Sequence, residues 1–457
     1  MRMCGSASSR GNGSGSPRLA TQPSSVTSMP CSRSSRSAMR IAFIVQRYGA
    51  DILGGSEYSC RLIAERMASR HEVEVLTTCA RDYVTWKNEY AEGMDRIRGV
   101  AVRRFAVARE RDIATFNRYS NWIFHYPHTA DDELEWLTQQ GPWCPALLEY
   151  LERCHSSYDL LIFFTYLYAP TVLGLKIAPS RSILVPTAHD EPAIRLDLYK
   201  EVFSLPAAMA YQTNAERRFV SDTFRITARV EEVIGCGVDL PPPSSDPRRR
   251  GEAPADAGEA APSHPPRREN GRSHSRGWMF RRRHRLYGPM VLYGGRIDPG
   301  KGCEELFEYF STYAAEGGDA MLVLMGAKLM PIPDAPSVRF AGLLSEVERT
   351  AALEAATVVA VPSPFESLSL LALESFAAGT PILANARSEV VVEHCRASNA
   401  GLYYADKDEF VECLKVLLSD ARLRASMGRH GRDYVRRNYR WDVVLSKYEK
   451  LMAAVRA

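Results

Sequence analysis

Glu366 and Glu374 stand with seven residues between them in the run Phe365-Glu366-Ser367-Leu368-Ser369-Leu370-Leu371-Ala372-Leu373-Glu374. Carboxylates accept hydrogen bonds from hydroxyls, and a helix starting between the two acids offers free backbone N–H groups to an anion. Eight helical residues rise about 12 Å, close to the length of a nucleotide diphosphate with a sugar at one end. Two hydroxyl-binding acids flanking a phosphate-binding turn suit a sugar nucleotide. Ordinary helix capping by glutamate accounts for the same pair, so the spacing needs a second element beside it.

That element is Met290-Val291-Leu292-Tyr293-Gly294-Gly295-Arg296-Ile297-Asp298-Pro299-Gly300-Lys301-Gly302, a buried strand, a glycine turn and a helix start. Arg296 and Lys301 leave the turn as two cations. They suit a diphosphate, because Arg grips phosphate oxygens as a fork and Lys acts as a point charge. Gly295, Gly300 and Lys301 also imitate the nucleoside triphosphate loop G-x-x-x-x-G-K-[ST]. Gly302 replaces the magnesium-binding hydroxyl, which argues against an ATPase or GTPase.

Tyr293-Gly294-Gly295-Arg296 with Lys301-Gly302, Glu366 to Glu374, and Ala377-Ala378-Gly379-Thr380-Pro381 together resemble the retaining glycosyltransferases of the group 1 (family 4) class, which have the GT-B fold. The resemblance runs from about Met39 to Ala457, apart from one stretch near the middle. It implies an α/β protein with two Rossmann-like domains facing across a cleft. In that frame Glu374 holds ribose hydroxyls, while Arg296 and Lys301, on the turn at Gly295, neutralise the diphosphate. Glu366 with Leu368-Ser369 holds the sugar and the β-phosphate. Relatives often carry Gly-Phe-Gly where this chain has Ser367-Leu368-Ser369, which narrows the approach to the sugar. No metal or other cofactor is expected, since enzymes of this fold generally work without one.

Three further positions carry candidate chemistry. Gly54-Gly55-Ser56-Glu57 opens a helix after the first strand, where doubly wound sheets bind ligands; a plain capping turn explains it equally well. The resemblance puts donor phosphate near Gly54 and Gly55. His189 ends an apolar run and, by the same resemblance, would hydrogen-bond the transferred sugar, with Asp190 orienting it or capping the next helix. Asp406-Lys407-Asp408 imitates a metal motif, but its place before Glu409-Phe410-Val411 fits helix capping. No G-x-S-x-G elbow is present, so a serine hydrolase is unsupported.

The elements that must position these residues alternate. Strands are expected at Ile41–Val45, 72–78, 101–107, 160–165, 183–187, 209–213 and 230–234. A second series follows Met290, at 321–325, 338–341, 357–361 and 381–384. Helices such as 57–69 and 214–223 lie between them, which argues for parallel sheets. Residues 1–38 read as a disordered extension, with Met39 as the expected native start, and 241–286 as a disordered linker or insertion. The expected domains are 39–240 for the acceptor and 287–440 for the nucleotide sugar. A last helix, 441–457, would pack back on the first domain.

Composition is that of an ordinary globular chain, 45% hydrophobic and 25% charged. The net charge of +4 misleads. Residues 1–40 hold six Arg and no acid, and residues 246–285 hold eleven Arg against five acids, so the remainder is net acidic. Nucleic acid is therefore not an expected partner. Ten scattered cysteines without a C-x-x-C pair suggest reduced thiols in a cytoplasmic protein.

The expected activity is transfer of a sugar, with retention, from a nucleotide-diphosphate sugar to a glycan, a lipid-linked glycan or a small-molecule hydroxyl. The aromatic stretch Arg109 to Trp143 would choose the acceptor or form a packed lid. A lipid-linked acceptor would bring peripheral contact with the inner face of a membrane. Two alternatives share the ligand: a GT-B sugar-nucleotide epimerase and a catalytically silent sugar-nucleotide-binding scaffold.

Overall fold

Short, almost wholly apolar runs form the central strands, because a parallel sheet covered by helices buries both faces of those strands. The computed structural model describes residues 38–52, 54–240 and 276–457. The first sheet comprises β1 (Arg40–Ile44), β2 (Glu72–Thr78), β3 (Gly93–Ile97), β4 (Val100–Phe105), β5 (Leu160–Phe164), β6 (Ser182–Val185), β7 (Ala208–Tyr211) and β8 (Val230–Val233). Its order is β3-β4-β2-β1-β5-β6-β7-β8, parallel except for the β3–β4 hairpin. The second comprises β9 (Met290–Gly294), β10 (Met321–Met325), β11 (Val338–Gly342), β12 (Val358–Val361), β13 (Ile382–Asn385) and β14 (Gly401–Tyr404). Its order is β11-β10-β9-β12-β13-β14, parallel throughout.

Both sheets reverse their winding beside their first strand. The chain runs outward from β1 through β2, then returns to place β5 on the other flank of β1. It does the same at β9, with β10 on one side and β12 on the other. Such reversal points leave a crevice at the carboxyl ends of the strands. This is the GT-B architecture.

Two strands differ from expectation. β3 is largely exposed and lacks an apolar run, so it exists because Arg98 and Gly99, both at positive φ, make the two-residue turn of a hairpin. β14 is a four-residue strand released by Asn399 in the left-handed conformation. The expected extension 1–38 lies outside the described residues except for Ala38, as does 241–275 of the expected linker. Residues 276–286 correct that linker. The helix Arg276–Arg283 buries Phe280, and Leu286 behind it is buried too. Its charge run is partly tied down, with Arg276 on Glu354 at 2.7 Å and Arg283 on Glu348 at 2.5 Å. The stretch 109–143 is likewise ordered: helices Ile113–Ile123 and Ala130–Gln140 pack Phe116 and Phe124 on Trp136. Asp406 accepts from the Glu409 N–H and caps the helix Lys407–Ser419.

The last helix, Trp441–Arg456, joins the two sheets. Its Val444, Tyr448, Leu451, Met452 and Val455 enter a core shared with Phe43 and Val185 of the first sheet and Leu292 and Phe376 near the second. Trp441 lies so close to Gly237 that a Cβ there would stand 2.5 Å from the indole. Lys447 donates to the Val233 carbonyl at 2.7 Å, and Glu449 meets His71 at 2.9 Å. Met452 is wholly buried, so Met452→Ala should cost about 2–5 kcal/mol. A shift of the denaturant midpoint at unchanged m-value would measure it.

Candidate functional site

The sequence-predicted cations and acids meet at the reversal point of the second sheet. β9 feeds the turn of Gly295, Arg296 and Lys301, and its neighbour β12 feeds Glu366. Asp298 caps the short turn Pro299–Lys301, its side chain accepting from the Lys301 N–H at 3.0 Å. Gly302 ends that turn at φ 71°, and a Cβ there would stand 2.3 Å from the Pro362 carbonyl oxygen. The Ser or Thr of a triphosphate loop does not fit. This closeness sets the two turns side by side, and Lys301 Nζ contacts Glu366 Oε1 at 2.8 Å. Arg296 Nε lies 3.4 Å from Asp298 Oδ2. Burial works against its charge, yet Tyr83 and Asp298 raise its pKa above the ordinary value.

The helix between the acids is shorter than the spacing suggested. Residues 366–369 form a turn, and the helix is Leu370–Ala378, so only Glu374 is helical. Its N-terminus still falls between the two carboxylates. Ser369 caps it at φ 61°, a left-handed conformation that costs a serine roughly 1 kcal/mol or more relative to glycine. Buried His394 pins the turn: its Nε2 meets the Leu368 carbonyl at 2.8 Å and Nδ1 the Tyr434 hydroxyl at 2.9 Å. A carbonyl only accepts, so Nε2 carries the proton. Glu374 is ion-paired with Arg349. Burial opposes the Arg349 charge, but Glu374 outweighs it and raises the pKa.

The first domain reaches this site from several strand ends. Gly54 caps the helix Gly55–Met67, and a Cβ on it would stand 2.0 Å from Glu57 Oε2, so the glycine lets that carboxylate fold under the turn. Gly55 has open space about its Cα. Buried Glu57 pairs with Arg47 at 2.6 Å; burial raises its pKa, but Arg47 and its hydrogen bonds hold it below the usual value. One turn into that helix, Tyr58 lies 5.2 Å under the Arg349 guanidinium. Burial pushes the Tyr58 pKa up to about 12.

His189 follows β6 and faces the second domain, its ring 5.9 Å from that of Phe365. Asp190 neither orients it nor caps; it pairs with Arg195 at 2.6 Å. Buried Glu216 accepts from the Ala188 N–H at 2.6 Å and the Gln212 N–H at 2.5 Å, and burial raises its pKa to about 8. It therefore fixes the residue before His189. Thr213, which caps the same helix, donates to the Ser367 carbonyl at 3.2 Å.

The structure thus brings Arg296, Lys301 and Glu366 together on adjacent strand ends, with Leu368, Ser369 and Glu374 on the turn and helix that follow. His189 stands across from Phe365, and Gly54-Gly55 opens the helix whose Tyr58 touches the partner of Glu374. Sequence reasoning missed Arg349, Tyr58, Tyr83, Glu216 and His394. Only Tyr83 had a legible signal, lying just beyond a strand's carboxyl end. Among the described residues no group of three His, Cys, Asp or Glu side chains is arranged to hold a metal ion.

Residues 288–420 match the family model described as Glycosyl transferases group 1. Among curated relatives, a D-inositol 3-phosphate glycosyltransferase of Jonesia denitrificans is 25% identical over 70% of this chain and 71% of its own. A GDP-mannose-dependent monoacylated alpha-(1-6)-phosphatidylinositol monomannoside mannosyltransferase of Corynebacterium glutamicum is 26% identical over 34% of this chain; the match spans 45% of that relative. Among solved structures, sucrose-phosphate synthase of Thermosynechococcus elongatus superposes with a TM-score of 0.62 at 18% identity, covering 91% of this chain and 100% of that one. The resemblance carried by the motifs is borne out: the chain has the GT-B fold, and its second domain is that of the group 1 glycosyl transferases.

His394 gives the turn a pH dependence. Burial lowers its pKa below the ordinary 6.5, so as pH falls through that value the unfolded chain binds a proton that the folded chain refuses. Its contribution is present above about 6.5 and lost below. His394→Gln keeps a donor for the Leu368 carbonyl and removes the titration. Melting temperature followed from about pH 7.5 to 5.5 should fall less in the variant than in the wild type.

Proposed function

We propose that the chain is a retaining, metal-independent glycosyltransferase that moves a sugar from a nucleotide-diphosphate sugar to an acceptor hydroxyl. The observation that carries this reading is the pairing of Lys301 with Glu366 at 2.8 Å, beside Arg296, at the reversal point of the second sheet. In this reading the pair sets an ammonium beside a hydroxyl-accepting carboxylate where phosphate and sugar would meet. Arg296 and Lys301 supply the positive charge that a divalent ion would otherwise bring to the leaving diphosphate. Glu374, anchored by Arg349, stands one helical turn further on to receive ribose hydroxyls.

Charge development decides the chemistry. As the bond from sugar to phosphate breaks, the sugar gains oxocarbenium character and the β-phosphate gains negative charge. Fixed cations and the N–H groups at Leu370 stabilise that phosphate without reorganising. Glu366 is already engaged by Lys301, which suits a group that holds sugar hydroxyls more than an attacking nucleophile. Attack by the acceptor on the face the phosphate leaves follows, with the departing phosphate taking the acceptor proton. In the same reading His189, which follows the Glu216-anchored backbone of Ala188, would hydrogen-bond the sugar.

One relative's name gives a phosphatidylinositol mannoside as acceptor and the other's gives inositol 3-phosphate; a lipid-linked acceptor would bring the protein to a membrane surface. Among the described residues no helix is long and apolar enough to cross one. Contact would then be peripheral.

Thermal shift against UDP, GDP, ADP and their sugars, with and without magnesium, tests the donor. A ligand at a hundred times its Kd stabilises by about 2.7 kcal/mol, and one base should do so alone and without metal dependence. No shift from any of them would overturn the reading. With the donor known, Lys301→Ala should lower turnover by roughly tenfold to a thousandfold. A folded variant with wild-type turnover would remove Lys301 from the mechanism.

A further inference from the structure

Tyr83 lies in the segment after β2, at the carboxyl edge of the first sheet, and nothing in the motifs points to it. Its ring centroid is 5.2 Å from the guanidinium of Arg296, which belongs to the other domain. The ring is itself held in place. Trp86 meets it edge-on at 6.3 Å, and Trp86 is wholly buried with its indole N–H donated to the Gln140 carbonyl at 2.7 Å. Arg111, which also bonds that carbonyl, donates to the Tyr83 carbonyl from a second side. Arg47, anchored by Glu57, approaches the ring at 5.6 Å. The Arg296 side chain is thus met by an aromatic ring that three buried or paired side chains hold.

We propose that Tyr83 is a positioning residue: the first domain uses its ring to fix the Arg296 guanidinium for the diphosphate, so that grip on the β-phosphate depends on the two domains being together. The proposal rests on the reading of this cleft as a sugar-nucleotide site. An arginine free to sample many rotamers loses them when it binds phosphate, and one already laid on an aromatic face loses fewer. The guanidinium carries five N–H donors, so contact with one ring leaves donors for phosphate. Tyr58 under Arg349 repeats the arrangement at the other end of the site, where Arg349 anchors Glu374.

The test compares nucleotides that differ only in the β-phosphate. Dissociation constants for UDP against UMP, and GDP against GMP, are measured by calorimetry for the wild type, Tyr83→Leu and Tyr83→Phe. The wild type should prefer the diphosphate. Tyr83→Leu, which fills the space but has no aromatic face, should lose roughly threefold to thirtyfold in diphosphate affinity and keep its monophosphate affinity. Tyr83→Phe should keep most of the preference. If the leucine protein proves unstable, Tyr83→Met supplies the comparison, since methionine also fills the space without an aromatic ring and should lose the same preference. A wild type without diphosphate preference overturns the reading of the cleft. A preference that survives Tyr83→Leu, or Tyr83→Met in the second comparison, overturns the positioning role alone.

Discussion

Gly302 approaches Pro362 so closely that a Cβ would sit 2.3 Å from the carbonyl oxygen, and the site is organised around that contact. It ties the turn after β9 to the turn after β12, two neighbours in one sheet. Because the turns touch, Lys301 reaches Glu366 without a long excursion of either backbone. Asn385 reinforces the same point, its amide donating to the Pro362 carbonyl at 3.0 Å. The cost is a glycine at positive φ, which removes the hydroxyl a magnesium-triphosphate site would need. One steric fact therefore assembles the cation–carboxylate pair and excludes the nucleotide chemistry that the local sequence imitates.

Placement by strand ends brings a second demand, since the groups on one domain must be held against those on the other. Few of the crossing contacts are apolar at the cleft itself. Glu346 receives both Arg61 and Arg98, Arg218 reaches Glu389 and Glu393, and Thr213 binds the Ser367 carbonyl. Exposed ion pairs contribute little each, typically under about 1 kcal/mol. The apolar seam along the Trp441–Arg456 helix is buried by contrast. The two sheets are thus held by a buried seam at that helix and by polar contacts at the cleft.

Much of this was legible before any coordinates. Twelve of the fourteen strands among the described residues were anticipated, the central ones by continuous apolar runs, because parallel strands there bury both faces. β3 escaped because an edge strand made by a turn carries no such run. The helix Arg276–Arg283 escaped because eight residues with four arginines look solvated until Glu354 and Glu348 are seen to meet two of them. At the site, the charged residues of the motifs were visible by type and spacing. Arg349, Glu216 and His394 were not, since each acts through a partner more than twenty residues away in sequence. Spacing reports neighbours along one element and is blind to what another element lays across it.

Ser369 shows how the departure from the relatives' glycine pattern is accommodated. At φ 61° its backbone occupies the conformation that a glycine would take without cost, so the turn geometry is retained and the strain accepted. His394 holds the preceding carbonyl, Thr213 the one before that, and the helix N–H groups remain aimed at the same point. What changes is the space in front of them. Leu368 and Ser369 are both buried in the turn, while Ser367 is only half-buried and adds its hydroxymethyl group to the exposed part of the segment. The backbone of the turn thus keeps the form a glycine would give it, while the side chains of the segment differ. Backbone N–H groups at a helix start attract charge whatever side chains flank them, so a change from glycine to serine here acts through shape.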